Sequence, residues 1–270
     1  MVDASATYSG SVPAYYDSCL GPAWFDAFAS DLAQRLPPRP SGDVLEIACG
    51  TGLVTRRLRE HLDPCVRLVA TDLSKSMLDY ARGKLRDCGP IEWREADAMN
   101  LPFGDGEFAA VVCAFGYMFV PDKSTAFRET GRVLKEGGIL CFDVWDRIEE
   151  NSHNAACADV IEGMFPGDDE MRFRLPYEMY DVPLLRRLLA AAHFEVANIE
   201  KKRLPVDRVS ARTIATGQVR GTPRSLLIEK RGASLDEVVE KVTKALAQVG
   251  GADPYRGFAQ AVMVEARRGA

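Results

Sequence analysis

The sequence predicts a doubly wound α/β fold around a mostly parallel sheet, and three observations carry that prediction. Short apolar runs alternate with helically spaced segments from residue 43 to residue 146. The stretch "VLEIACGTGLVTRRL", residues 44 to 58, reads as strand, tight glycine turn and helix. Three acidic residues, Glu46, Asp72 and Asp97, fall at the ends of three successive apolar runs.

Each element follows from its local pattern. Strands are expected at 43–49, 66–72, 91–96, 108–115 and 139–145, with helices at about 53–62, 75–87 and 123–135. Ser74 suits the N-cap of the second helix, and Gly137-Gly138 reads as the stop of the third. Strands separated by helices in this way form right-handed βαβ units, whose ligands bind beyond the carboxyl ends of the strands. Gly50 sits at such an end. Further along, a helix at 182–192 leads into "HFEVANIEKKRLPV", and the sequence closes with "GFAQAVMVEARR". Both alternate as strands do, and the final one, about 258–267, suits antiparallel pairing. Two helical and loop-like stretches remain, 147–181 and 206–256. Without a core of their own, they read as cap segments over the carboxyl edge of the sheet.

The whole-chain numbers exclude several classes. At 270 residues and 47% hydrophobic, the sequence describes a soluble globular chain with one large domain, or a domain plus a cap. A net charge of -5 opposes general nucleic-acid binding, and Lys201-Lys202-Arg203 and Arg267-Arg268 read as solvated strand ends. No run approaches the roughly 18 apolar residues of a membrane span. The N-terminal residues lack the basic-then-apolar order of a signal peptide, so a cytoplasmic protein is expected. Seven cysteines without a Cys-x-x-Cys pair give neither a disulfide framework nor a zinc site, and Cys49, Cys113 and Cys141 fall in strands as small apolar residues. With three histidines and no two at ligand spacing, no metal is expected.

A glycine turn between a buried strand and a helix presents outward backbone N–H groups to a nucleotide-like ligand. Here the turn reads Gly50-Thr-Gly52-Leu-Val-Thr55, without the third glycine of a dinucleotide site. Glu46 stands just before it, where a carboxylate repels a pyrophosphate and attracts a cation. That asymmetry favours a sulfonium over a dinucleotide. Asp72 can accept hydrogen bonds from both hydroxyls of a ribose, a geometry common to NAD and S-adenosylmethionine sites. Asp97 can accept from an adenine amino group, or simply form a turn.

At this point "VLEIACGTG", "VATDLSKSML", "READAMNLPFGDGEFAAVVC" and "FRETGRVLKEGGIL" together resemble the successive motifs of class I S-adenosylmethionine-dependent methyltransferases. The resemblance is to the small-molecule branch that includes the ubiquinone and menaquinone biosynthesis enzymes. It covers about residues 40 to 146, and weakly the final strands. It implies a Rossmann-like seven-stranded sheet with the last strand antiparallel, a single domain over 1–270 with its cofactor core at 40–146, and S-adenosylmethionine as cofactor. Carried over by position, Glu46, Ala48, Gly50 and Gly52 line the methionine part. Asp72 holds the ribose, Leu73 and Met77 lie against the adenine, and Asp97 and Ala98 read its edge. Ala114 and Phe115 offer backbone to the methionine amino group. Three positions depart from the family pattern: Ala48 replaces its first glycine, Glu136 a proline, and Ala109 a frequent aspartate.

The acceptor is limited mainly by absences. "CAFGYMF" at the end of the fourth strand lacks the signature that receives an adenine or glutamine amino group in related enzymes, and it has no aspartate for a magnesium-dependent catechol reaction. What remains is an aromatic and sulfur-rich set running from Tyr8 to Tyr180 and including Trp145, Met164 and Tyr177. Within it Tyr15, Tyr16, Phe119, Phe165 and Tyr180 are the candidate substrate contacts, which suits a small aromatic or apolar metabolite methylated on O, N or C. A general base is optional, since alignment alone can supply much of the rate. His153 and Asp146 are the candidates, with packing and loop roles as their alternatives, while His193 and His61 read as structural and exposed. The expected protein is a monomer or homodimer acting on a small molecule, with no nucleic-acid partner. Two other readings stay open: a non-catalytic S-adenosylmethionine-binding module and a nicotinamide-dependent oxidoreductase.

Overall fold

The computed structural model describes residue 8 and residues 10–269. Seven strands form one sheet: β1 (Val44–Glu46), β2 (Leu68–Asp72), β3 (Glu92–Glu95), β4 (Phe108–Ala114), β5 (Leu134–Trp145), β6 (Phe194–Val206) and β7 (Gly257–Arg268). Their spatial order is β3-β2-β1-β4-β5-β7-β6. Strands β1 to β5 run parallel, and β7 lies antiparallel between β5 and β6. The expected seven-stranded sheet with its last strand reversed is therefore present.

The strand order reverses at β1, whose two neighbours are β2 and β4. In an open parallel sheet such a switch point leaves a crevice beyond the strand ends, because the connecting helices leave on opposite faces. Helices α3 (Leu53–His61), α4 (Lys75–Lys84), α5 (Lys123–Val133) and α7 (Val182–Ala191) fall where their periodicity places them. Ser74 caps α4 by accepting from the Met77 N–H at 3.4 Å. Strands β1 and β4 are buried almost throughout, as their continuous apolar runs require.

Two local expectations need correcting. Gly137-Gly138 does not stop α5, because the chain turns earlier: Leu134 is already extended and opens β5. The register shifts from Phe108↔Leu134 to Ala110↔Ile139, so the glycines lie in a bulge inside the strand. Strand β1 is also shorter than expected, ending at Glu46, and Ala48 just beyond it has φ of +55°. Before β1, the sequence had been given no elements. The structure places there α1 (Val12–Tyr15), a wide π-helical segment (Tyr16–Phe25) and α2 (Asp26–Gln34). Phe25, Phe28, Ala29, Leu32 and Leu36 in this region carry the three- and four-residue spacing that marks a helix against a core.

The caps also take shape. Segment 147–181 contains α6 (Ser152–Met164) and leaves the carboxyl end of β5, while 206–256 contains α8 (Ala211–Arg220), α9 (Arg224–Lys230) and α10 (Leu235–Gly250) and links β6 to β7. Since Trp145 pairs with Ala261 and Val206 with Gly257, both segments start from the same carboxyl edge of the sheet. Among the described residues no helix is long and apolar enough to cross a membrane.

The ends of β1 and β4 meet at close quarters. A Cβ on Gly116 would lie 2.6 Å from the Ala48 methyl and 2.7 Å from the Cys113 Sγ. Ala48 thus occupies a left-handed conformation that costs a non-glycine residue about 1–2 kcal/mol, with Gly116 leaving room for its methyl. Ala48→Gly is expected to raise stability in urea unfolding by about 1 kcal/mol. Gly116→Ala should lower it by about 1–3 kcal/mol, and the double variant should recover part of that loss.

Candidate functional site

The site is built from the turns that follow β1, β2, β3 and β4. After β1, Ile47 donates to the Val112 carbonyl at 2.8 Å and Cys49 to the Thr71 carbonyl at 2.9 Å, so the turn is tied to both neighbouring strands. Gly50, at φ of +53°, has nothing within 4 Å of where a Cβ would stand. Its conformation demands glycine, and its open side faces no protein atom.

Asp72 closes this turn from β2. Its Oδ2 accepts from the Gly50 N–H and its Oδ1 from the Ser74 N–H, both at 2.8 Å. Burial raises its pKa, opposed by those N–H groups and by that of Leu73. Each carboxylate oxygen keeps a second lone-pair direction, enough to accept from two vicinal hydroxyls. Leu73 is exposed and Met77 buried. At the end of β3, Asp97 accepts from the Met99 N–H at 2.8 Å, and Asp97 and Ala98 are both half-buried.

Glu46 is the most unusual member. It is 1% exposed, and its Oε2 has no partner among the described residues. Burial pushes its carboxyl up to about 8; Thr55 opposes the shift and the Asp72 charge adds to it. A second buried acid, Asp143 on β5, was not singled out in the sequence. Its Oδ1 accepts from the Phe115 N–H at 2.8 Å, its Oδ2 has no partner among the described residues, and burial raises it to about 8. Phe115 is held at φ of +51° by this contact. Its N–H is therefore spent on Asp143, and the groups near Ala114 and Phe115 that can accept from a donor are backbone carbonyls.

On the cap side, aromatic rings run outward from Phe115. Centroid separations are 4.3 Å from Phe115 to Trp145, 5.3 Å from Phe115 to Phe25, and 5.1 Å from Phe25 to Tyr16. Tyr177 stacks on Trp145 at 6.0 Å, and Trp24 lies 4.6 Å from the His153 ring. Of the five expected substrate contacts, Tyr16 joins this cluster. Tyr15 lies under Arg220, Tyr180 under Arg147, Phe165 is half-buried after α6, and Phe119 is 55% exposed. Sequence reasoning did not single out Trp24 and Phe25; recognition of the helical spacing before β1 would have found them.

Neither candidate base has the geometry of one. His153 is fully buried, and burial drives its pKa down to about 3, a shift that the Phe258 backbone only partly opposes. Neither ring nitrogen has hydrogen-bond geometry to a partner among the described residues. Asp146 is buried in an ion pair with Lys201 at 2.9 Å and accepts from Gln260 at 2.7 Å. Despite the cost of burial, those partners hold it below the usual carboxylate range, which leaves a weak proton acceptor in a structural role. His193, at φ of +59°, takes the left-handed position after α7, as expected of a structural residue.

Comparison with known proteins agrees with this geometry. Residues 44–138 match the family model described as a methyltransferase domain. A ubiquinone/menaquinone biosynthesis C-methyltransferase from Ectopseudomonas mendocina (strain ymp) is 42% identical over 105 residues, 38% of this chain and 41% of that protein. The chain thus spans less than half the length of that relative. Among solved structures, a putative methyltransferase from Bacillus halodurans C-125 superposes with a TM-score of 0.61 at 18% identity, covering 90% of this chain and 100% of that one. A Haemonchus contortus phosphoethanolamine N-methyltransferase, solved with phosphomonomethylethanolamine and S-adenosylhomocysteine, gives 0.62 at 15% identity over 98% of this chain and 58% of its own. At such identities the likeness is one of fold. Over the matched region, the resemblance to class I S-adenosylmethionine-dependent methyltransferases holds.

Glu46 and Asp143 make stability depend on pH in a defined direction. A carboxyl raised in the folded state binds its proton where the unfolded chain has released it, so its contribution is complete below the ordinary values of 4.5 and 3.8 and is lost as pH rises through about 8. Thermal unfolding followed by circular dichroism is expected to show a melting temperature that falls between those limits. Asp143→Asn, which keeps an oxygen for the Phe115 N–H, and Glu46→Gln should each flatten the decline.

Proposed function

We propose that the chain transfers a methyl group from S-adenosylmethionine to a small, apolar or aromatic metabolite. The observation that carries this reading is the buried carboxyl of Glu46, whose Oε2 has no partner among the described residues, at the end of the strand that runs into the open Gly50 turn, with Asp72 and Asp97 at the next two strand ends. Buried carboxyls are costly unless compensated, and a bound cation compensates them. A pyrophosphate in the same place would meet negative charge, which disfavours the dinucleotide reading.

The residues fit the cofactor in sequence order. Glu46 and the turn around Ala48, Gly50 and Gly52 receive the methionine part, and the carbonyls near Ala114 and Phe115 its ammonium. Asp72 accepts from the ribose hydroxyls, Leu73 and Met77 flank the adenine, and Asp97 with Ala98 reads its edge. S-adenosylmethionine supplies an electrophilic methyl carbon on a sulfonium.

Around it, the chain contributes alignment and exclusion of water. Trp145, Phe115, Phe25 and Tyr177 give flat apolar surfaces that orient a planar acceptor, and α6, α8 and α9 close over the crevice. His153 stays neutral and at most donates or accepts a single hydrogen bond. No strong base stands in the cluster among the described residues. The acceptor therefore brings its own nucleophile, an ionised oxygen, an enolate-like carbon or a free nitrogen lone pair, and alignment supplies the rate.

Incubation of the protein with methyl-labelled S-adenosylmethionine and a fractionated metabolite extract is expected to yield S-adenosylhomocysteine and a labelled product. Native mass spectrometry should show S-adenosylmethionine bound and NAD unbound. Removing two charge-assisted hydrogen bonds by Asp72→Ala should weaken S-adenosylmethionine by roughly ten- to a thousandfold in calorimetry. Unchanged affinity in a folded Asp72→Ala protein would remove the ribose assignment, and NAD binding in preference would overturn the function.

A further inference from the structure

The cap carries a cation that the methyl-transfer reading does not use. Arg224, the first residue of α9, is partly buried, and its guanidinium lies over the Phe173 ring at 4.1 Å. Among the described residues its only hydrogen bond is a long one, from Nη2 to the Phe173 carbonyl at 3.4 Å. Four other arginines of the cap segments are in ion pairs: Arg172 with Glu178, Arg174 with Asp159 and Glu162, Arg220 with Asp236, and Arg231 with Asp168 and Glu170. Glu162, the carboxylate that acts on Arg224 from nearby, is committed to Arg174 at 3.1 Å. Arg224 has no carboxylate of its own among the described residues.

Its neighbours place it at the site. Phe173, which its guanidinium covers and whose carbonyl it reaches, stands four residues before Tyr177 in the stretch that follows α6. Tyr177 stacks on Trp145, the ring against Phe115 at the end of β4. The guanidinium is thus joined through the segment of Phe173 and Tyr177 to the aromatic cluster, and among the described residues most of its five N–H donors are unspent.

We infer that Arg224 binds an oxyanion, a carboxylate or a phosphate, on the methyl acceptor, so that the substrate is an anionic aromatic or apolar metabolite rather than a neutral one. A guanidinium withdrawn from water without a counter-ion is poorly compensated in the free protein, and a planar fork of donors matches such a group in two-pronged fashion. Phe173 fixes the plane of the fork from below. The carboxylates at the strand ends and the arginine in the cap then sort the two ligands by charge: the cationic cofactor to the sheet, the anionic acceptor to the cap.

This inference rests on the proposed methyl transfer for the word acceptor, and its test keeps the two apart. Benzoate, phenyl phosphate and neutral benzamide are titrated by calorimetry against the whole protein saturated with S-adenosylhomocysteine, whose own binding is measured first. Wild type is expected to favour one of the anions over benzamide by about tenfold or more, and the preferred anion identifies carboxylate or phosphate as the group. Arg224→Met and Arg224→Gln should each reduce that preference to about twofold or less, with S-adenosylhomocysteine affinity unchanged and a melting temperature no lower than wild type. Equal binding of anions and benzamide by wild type, binding of none of the three, or a preference that survives both substitutions would overturn the inference. So would a fall in melting temperature of both variants by many degrees, which marks the arginine as structural. Failure of S-adenosylhomocysteine to bind would instead overturn the cofactor reading, and the anion preference would still be read on the free protein.

Discussion

Two aspartates, each accepting from a backbone N–H, are the constraint on which the rest of the site depends. Asp72 holds Gly50 and Asp143 holds Phe115, each at 2.8 Å, and both held residues have positive φ. Neither turn is a comfortable conformation for the chain, and Phe115 pays a steric cost that Gly50 does not. A hydrogen bond in a buried setting, where water does not compete for either partner, is strong enough to hold such a conformation. The two turns stand on either side of the switch point between β1 and β4, so fixing them fixes the walls of the crevice. Gly116 then lets the ends come together, since any side chain there would strike Ala48.

Most of the sheet was legible in the sequence because its parallel strands are buried on both faces and read as unbroken apolar runs, as "FAAVVCA" does. That Glu46, Asp72 and Asp97 stand at or just beyond strand ends was legible for a related reason: a carboxylate at the end of such a run breaks the apolar pattern where the strand stops. Asp143 was not, because it interrupts β5 in mid-run, where the sequence gives no sign that the backbone N–H just past the end of the neighbouring strand will reach it. The bulge at Lys135–Gly138 was misread as a helix stop since paired glycines serve both purposes, and only the pairing of Phe108 with Leu134 decides between them. Trp24, Phe25 and the acceptor side were hidden for a different reason. They come from segments distant in sequence, α6, β5 and the helices before β1, whose meeting is a property of tertiary packing.

The histidine shows why residue type alone misleads about catalysis. His153 is the residue that sequence reasoning reaches for first, being the side chain whose ordinary pKa lies near neutrality. Packed against Trp24 and withdrawn from water, it is held neutral far below that range. A displacement at a methyl carbon does not need it, since the leaving sulfur departs neutral and the protein's task is to bring the nucleophile into line. The aromatic cluster is suited to that task, and its rigidity follows from the close ring contacts that run from Phe115 to Tyr177.

Charge finally explains how the two halves of the site relate. Glu46 and Asp72 end neighbouring strands, where burial raises both carboxyls and the Asp72 charge raises Glu46 further, so ionising both in the free protein is costly. A cation arriving there relieves both terms at once, whereas an anion would compound them. Across the crevice the cap offers the opposite sign on a surface of rings. On the proposed reading, an acceptor carrying negative charge is disfavoured at the strand ends and drawn to the far wall, where Trp145 and Phe115 offer its apolar body a surface. In this arrangement the order of filling matters: the cofactor's charge cancels the acid field that would otherwise oppose the acceptor's approach, so the first ligand improves the site for the second without any change of fold.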